Sequence, residues 1–180
     1  LDRFGSAYAL FCANQSDIDA LDVSESLKDR LCDKRLDEAY GIVEYCQKHG
    51  VGILSYTDPA YPSTLRAIKA PPCVLYYKGK LPEFEKRLLI SAVGTRSMSE
   101  YGKEMAYRIS YELASTGTVV VSGMALGVDG VCAAGALAAG GSTVAVLGCG
   151  LGVLAVQQGV DQSCSEGVTA AYAIHDVEVV

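Results

Sequence analysis

Leu88-Leu89-Ile90-Ser91-Ala92-Val93-Gly94-Thr95-Arg96, Thr118-Val119-Val120-Val121-Ser122-Gly123 and Thr143-Val144-Ala145-Val146-Leu147-Gly148-Cys149-Gly150 decide the fold. Each is an apolar run closed by a short glycine-bearing loop, and the pattern reads as strand, loop and helix three times over. Strand, loop and helix in alternation predict a mostly parallel sheet with covering helices. In such a sheet the loops at the carboxyl ends of the strands are where ligands bind. Helix N-termini there present unpaired N–H groups and partial positive charge, a natural seat for phosphate.

Charge is segregated along the chain. Residues 1–65 carry 6 basic and 11 acidic side chains, residues 66–108 carry 9 and 4, and residues 109–180 carry no Lys or Arg and 6 acidic. A basic middle inside an otherwise acidic chain suits an anion site, although a solvated mixed-charge surface reads the same way. The seven cysteines form no CxxC pair and are odd in number, which speaks for a reducing compartment and against a disulfide framework or zinc site. Cys132 and Cys149 near the loops read as small buried hydrophobes. No signal-peptide pattern opens the chain.

Residues 130–156 hold no charged side chain, a stretch long enough to span a bilayer. Gly140-Gly141-Ser142-Thr143 interrupts it, and no Lys or Arg flanks it. A buried helix followed by a buried parallel strand gives the same signal and is the preferred reading.

Upstream, residues 1–50 read as a small helical domain. Leu27, Leu31, Ala39, Val43 and Cys46 recur at helical spacing with a break near Asp33, Gly50 follows as a stop, and Ser6 to Cys12 forms an earlier short helix. Residues 51–180 read as the α/β domain. Val51–Ser55 and Cys73–Tyr77 are its first strands, separated by the turn formers Asp58-Pro59, Tyr61-Pro62 and Pro71-Pro72. Ser97 and Glu100 have capping-box spacing for the helix after Gly94, whose buried stripe is expected to be Met105, Ala106, Ile109 and Leu113. Asp129 is placed to cap the next helix.

Arg96, beside Gly94 and Thr95, offers a permanent charge suited to bidentate capture of phosphate, or it pairs with an acidic neighbour. Ser122, Gly123 and Gly127 belong to a second tight turn that cradles an anion or simply joins strand to helix. The Gly148-Cys149-Gly150-Leu151-Gly152-Val153 loop misses the dinucleotide fingerprint because Val153 stands where Gly or Ala is required, and only Glu166 or Asp176 lies near the ribose-binding position. There is no P-loop and no nucleophile elbow, and two histidines leave few candidates for acid–base chemistry.

Taken in order, Tyr61-Pro62-Ser63-Thr64-Leu65, Ile68, Pro71-Pro72, Leu75-Tyr76, Lys78-Gly79, Gly94-Thr95-Arg96 with Ser99, Tyr101 and Gly102, Ser122-Gly123 with Ala125, Gly127 and Asp129, Gly135-Ala136-Leu137, and Gly140-Gly141 with Thr143, Ala145 and Val146 resemble the DprA/Smf family of bacterial DNA-processing proteins. The resemblance covers about residues 50–152, and Phe4-Gly5-Ser6 matches the helical domain that often precedes that core. It implies an extended Rossmann-like domain that binds single-stranded DNA without sequence specificity and helps load the RecA recombinase during natural transformation. It implies a cytoplasmic protein with no catalysis, metal, cofactor or membrane, and leaves a homodimer open. On this mapping Gly94, Thr95 and Arg96 grip phosphate, aided by Ser122, Gly123 and Gly127, and Tyr76, Tyr77 and Tyr101 are the aromatic candidates for base stacking.

The chain departs from the family at several positions. Ala133 and Ala134 stand where the family carries histidine and often arginine, and Ser142 where lysine is common. Gly152, Ala155 and Val156 replace an aspartate and a Tyr-Pro pair, and Leu154 to Val180 does not resemble the family. Two alternatives follow: a phosphoribohydrolase acting on nucleoside monophosphates, which would need a Pro-Gly-Gly-x-Gly-Thr segment and a glutamate missing here, and a diverged remnant that binds no DNA.

Overall fold

The computed structural model of the chain describes residues 3–148 and 168–173. It divides into two compact units, Leu1–Tyr45 and Cys46–Val180.

The first unit is helical: α1 (Ala7–Phe11), α2 (Gln15–Asp19), α3 (Glu25–Cys32) and most of α4 (Asp37–His49). Each of the first three starts at a polar cap. Ser6 accepts from the Ala9 amide at 3.0 Å, Asn14 from Asp17 at 2.9 Å and Ser24 from Leu27 at 3.4 Å. The break near Asp33 is present, but the expected apolar stripe is not enclosed: Leu27 and Val43 are exposed and only Cys46 of that set is buried. Gly50, with φ +63°, ends α4, and the Val51 amide closes back on the Cys46 carbonyl at 2.9 Å.

The second unit holds β1 (Gly52–Ser55), α5 (Ser63–Arg66), β2 (Val74–Lys78), a 3-10 turn at Phe84–Lys86, β3 (Leu89–Ser91), α6 (Glu100–Ser115), β4 (Val119–Ser122), α7 (Val128–Ala138), β5 (Thr143–Leu147) and β6 (Val168–Ala173). The strands form one sheet in the order β1-β2-β6-β5-β4-β3. β3, β4, β5 and β6 are parallel neighbours, while β2 runs antiparallel to both β1 and β6. The α/β, mostly parallel, Rossmann-like architecture expected from the sequence is the one observed. Residues 130–147 of the uncharged run are the helix–turn–strand α7–β5. No helix among the described residues is long and apolar enough to cross a membrane.

Val119, Val120, Val144 and Ala145 are buried in the sheet, and burying each valine is worth roughly 1.5–3 kcal/mol. The α6–α7 contact departs from the sequence expectation. Met105, Ala106 and Leu113 are half-buried as expected, but Ile109 is 53% exposed and the buried positions of the helix are Ser110 and Ala114. Small residues are needed because α7 approaches closely. A Cβ on Gly135 would collide with the Tyr107 carbonyl oxygen, and buried Cys132 lays its thiol 3.7 Å from the Ala106 carbonyl. Ala114, Val120, Cys132 and Ala136 form the resulting core cluster.

A second cluster, Leu54, Tyr61 and Leu75, anchors the antiparallel end of the sheet. The Tyr61 hydroxyl donates to the Pro72 carbonyl at 2.8 Å, and burial pushes its pKa up. Arg66 lies over the rings of Tyr56 and Tyr61 at 5.5 and 5.6 Å and donates to the Asp58 carbonyl at 3.0 Å. The proline-punctuated connector is thus a packed staple for β1 and β2.

Candidate functional site

β3 and β4 are parallel, so their carboxyl ends open on the same edge of the sheet, and the Ala92 amide extends their ladder to the Val121 carbonyl at 2.8 Å. The two loops that follow interlock through their glycines. A Cβ on Gly94 would fall 2.6 Å from the Val128 side chain, and one on Gly127 would strike the Thr95 carbonyl and lie 2.6 Å from the Arg96 Cα. Gly127 has φ +92° and ψ −135°, a conformation open essentially to glycine. Val128 donates its amide to the Thr95 carbonyl at 3.1 Å, and the Gly94 amide donates to Asp129 Oδ1 at 3.2 Å. Gly94, Thr95, Arg96, Gly123 and Gly127 therefore share one place on the sheet edge.

Ser122 is buried beneath them, and its Oγ has no hydrogen-bond partner among the described residues. Met124 adopts φ +55°, rare for a side-chain-bearing residue and worth about 1 kcal/mol of strain held in place by the turn.

Two caps differ from their sequence assignments. Ser99, not Ser97, caps α6, accepting from the Gly102 amide at 3.1 Å. Ser97 instead closes a turn with Thr95, whose Oγ1 donates to the Ser97 carbonyl at 2.9 Å and accepts its amide at 3.2 Å. Gly127, not Asp129, stands at the α7 N-cap, and Asp129 lies inside the first turn, 5% exposed, with Oδ2 3.1 Å from where a Gly123 Cβ would be.

These placements change the expected phosphate seat. At the start of α7, the Val128 amide is taken by Thr95 and the Gly130 amide by the Ala125 carbonyl at 3.1 Å, while a carboxylate already faces the positive helix end. α6 likewise carries Glu100 in its first turn. The helix ends are not the open donors that the sequence pattern suggested. What faces solvent is Arg96: it is exposed and makes no ion pair or hydrogen bond with any described residue. Val93 and Leu126 in the two loops and Tyr101 in the first turn of α6 are also exposed, at 79%, 62% and 72%. Tyr76 and Tyr77 are half-buried, with the Tyr77 ring packed over Gly52.

The basic middle of the sequence does not gather into one patch. Because β2 is antiparallel to β6, the chain beyond Lys78, which pairs with Ala170 in the row of Ala145 and Ser122, heads toward the edge where the parallel strands begin. Arg87 is at that edge too, reaching the Gly117 carbonyl at 3.3 Å, and Lys86 pairs with Glu83 at 2.7 Å. Arg66 is held between its two tyrosines. Arg108 pairs with Glu112 at 3.7 Å. The glycine loop from Cys149 to Val153, together with Glu166 and Asp176, lies outside the described residues. Among the described residues no group of three His, Cys, Asp or Glu side chains could hold a metal ion.

Residues 52–167 match the family model for DNA recombination-mediator protein A. The DNA processing protein DprA of Bacillus subtilis (strain 168) is 35% identical over 101 residues, which is 56% of this chain and 34% of that protein. Protein Smf of Synechocystis sp. is 35% identical over 135 residues, 72% of this chain and 34% of its own length. Among solved structures, DNA processing protein A of Streptococcus pneumoniae superposes with a TM-score of 0.66 at 25% identity, covering 89% of this chain and 56% of that one. DNA processing protein A of Helicobacter pylori, described for its single-stranded DNA binding mode, gives 0.59 at 26% identity, covering 71% and 57%. The chain spans about a third of the length of the curated relatives it matches.

Proposed function

The chain belongs to the DNA recombination-mediator protein A family, and from that premise we propose that it binds single-stranded DNA without sequence specificity. In this reading the Arg96 guanidinium takes a backbone phosphate, and the exposed backbone of Thr95 and Arg96 lies on the strand's path with the Gly94 amide held by Asp129. Phosphates repeat identically along any strand, so a grip of this kind carries no sequence information. The observation that carries the reading is the exposed, unpaired Arg96 on two glycine-interlocked loops. Exposed Val93 and Leu126 in the two loops and Tyr101 in the first turn of α6 offer apolar surface to unstacked bases, which a duplex keeps hidden.

Residues 51–180 act as the binding domain and residues 1–50 as a separate helical domain. The role is one of binding, not catalysis: the protein shields incoming strands in the cytoplasm and assists RecA loading during transformation, alone or as a homodimer.

Fluorescence anisotropy of labelled dT20, with unlabelled dT20 and a duplex of equal length as competitors, tests the proposal. Saturable binding displaced by the single strand and not by the duplex supports it. No binding, or equal displacement by both, overturns it.

A further inference from the structure

β3 is an end strand of the sheet, with a neighbour on one side only. Its inner side is used by β4: Leu88 accepts from the Val119 amide and Ala92 donates to the Val121 carbonyl, both at 2.8 Å, and Gly94 continues the alternation by turning its amide inward to Asp129. The intervening residues of a strand point the other way. The N–H and C=O groups of Leu89, Ser91 and Val93 therefore face outward, with no partner among the described residues. Sheet edges are ordinarily blunted by charge, proline or a covering element. Residues 88–95 contain no charged side chain and no proline, and Leu88, Ser91 and Val93 are exposed. The helix above this edge is apolar there too. α7, on the β5 side, meets α6 at Ala106 and Tyr107. Ile109 lies about 110° round the helix from them, on the flank beside the free edge of β3, and is exposed.

We propose that the β3 edge seats a second copy of this chain, paired antiparallel about a twofold axis at Ser91. The backbone is self-complementary in this register. Ser91 exchanges both bonds with Ser91 of the second copy, and Leu89 and Val93 exchange theirs with its Val93 and Leu89. Leu89 then covers the exposed Val93 side chain across the seam. The helices fall into the same symmetry. Leu88 is level with Thr118 at the start of the sheet, and Ser91 stands about 10 Å further on. The same climb from the end of α6 at Ser115 takes about seven residues, which reaches Ile109. Each α6 lies over the β3–β4 seam, so the two helices run about 10 Å apart, a packing distance, with Ile109 facing Ile109. Beside it Arg108 and Glu112 meet Glu112 and Arg108 of the second copy, opposite signs throughout. An unrelated strand could use the backbone edge, but the Ile109 contact and this charge order fit a second α6. The proposal goes beyond the strand-binding reading and does not depend on it: the two Arg96 loops end at opposite edges of the doubled sheet.

Sedimentation equilibrium of the full chain without DNA tests this, using wild type, Ser91→Lys and Ser91→Glu. The Ser91 side chain is exposed, so both changes leave the inner ladder and the core in place. Wild type is expected to be a concentration-dependent dimer. Either variant alone sets like charges opposite each other at the axis and should raise the dimer dissociation constant about tenfold. An equimolar mixture of the two sets opposite charges there and should restore the dimer. A wild type that stays monomeric, variants that dimerise as wild type does, or a mixture no tighter than its components overturns the proposal. If either variant does not fold, Ile109→Glu on the helix surface takes its place: weakened dimerisation supports the proposal and unchanged dimerisation overturns it. Failure of the strand-binding reading looks different, because a dimeric wild type that ignores dT20 counts against that reading alone.

Discussion

The amide of Gly94 donates to the carboxylate of Asp129 at 3.2 Å across 35 positions of sequence, and that bond fastens the loop after β3 to the first turn of α7. Removing the acceptor leaves a cavity and an unmatched amide at a packed junction. Asp129→Ala is expected to lower unfolding free energy by about 1–3 kcal/mol, read by urea denaturation.

Gly127 makes the same junction from the other loop. Gly127→Ala adds a Cβ that meets Thr95 and Arg96 backbone, in a conformation that L side chains rarely adopt. Backbone cannot retreat as a flexible side chain can, so the expected loss is about 2–4 kcal/mol. A thermal melt that leaves Gly127→Ala as stable as wild type contradicts this packing.

Glu85 supports the antiparallel end. It accepts the Ser63 amide at 2.9 Å and the Ser63 hydroxyl at 2.8 Å, and these bonds, the amide first, hold its carboxyl below its ordinary value near 4.5. Because the folded pKa is depressed, its stabilisation is fully present above that ordinary value and is lost as pH falls through the lowered one. Glu85→Gln should therefore be less stable than wild type at pH 7, with the difference shrinking toward zero on acidification. Melting curves of both proteins between pH 3 and 7 check the sign.

Tyr101, in the first turn of α6, and Leu126, next to Gly127, are exposed and outside the core, so changing them separates binding from folding. Loss of a stacking contact is worth about 1–3 kcal/mol per base. Tyr101→Ala with Leu126→Ala should weaken dT20 binding by that order and leave the melting temperature within a few degrees of wild type. The double variant should also bind dT20 and an abasic strand of equal length more equally than wild type does.

The parallel core was legible because its signals are local. Three apolar runs, each ended by glycine, mark β3, β4 and β5, and the Gly140-Gly141 stop falls just after α7. In α6 the apolar positions Met105, Ala106 and Leu113 turn inward, but Ile109 is exposed while Ser110 and Ala114 are buried. A close helix–helix approach selects small side chains, so the line through Ala106, Ser110 and Ala114 carries little hydrophobic signal. Asp129 was recognised as a helix-start residue, but its bond to Gly94 depends on a loop 35 positions away, which no local spacing encodes. The basic stretch misled for a related reason. A count along the sequence ignores chain direction, and the antiparallel run of β2 leads the chain after Lys78 away from the edge that carries Arg96. The glycine motifs marked the loops, but the space at Gly94 and Gly127 is taken by Val128, Thr95 and Arg96 of the facing loop, a packing that no local pattern encodes.

The salt dependence of dT20 binding to wild type and Arg96→Ala tests the central claim most directly. With three or four phosphates held, log affinity against log salt should slope at roughly −2 to −3 for wild type. Arg96→Ala should flatten that slope by about 0.7 and weaken binding by about 1–3 kcal/mol at fixed salt. An affinity and slope unchanged by the substitution would contradict the assignment of Arg96 to a strand phosphate.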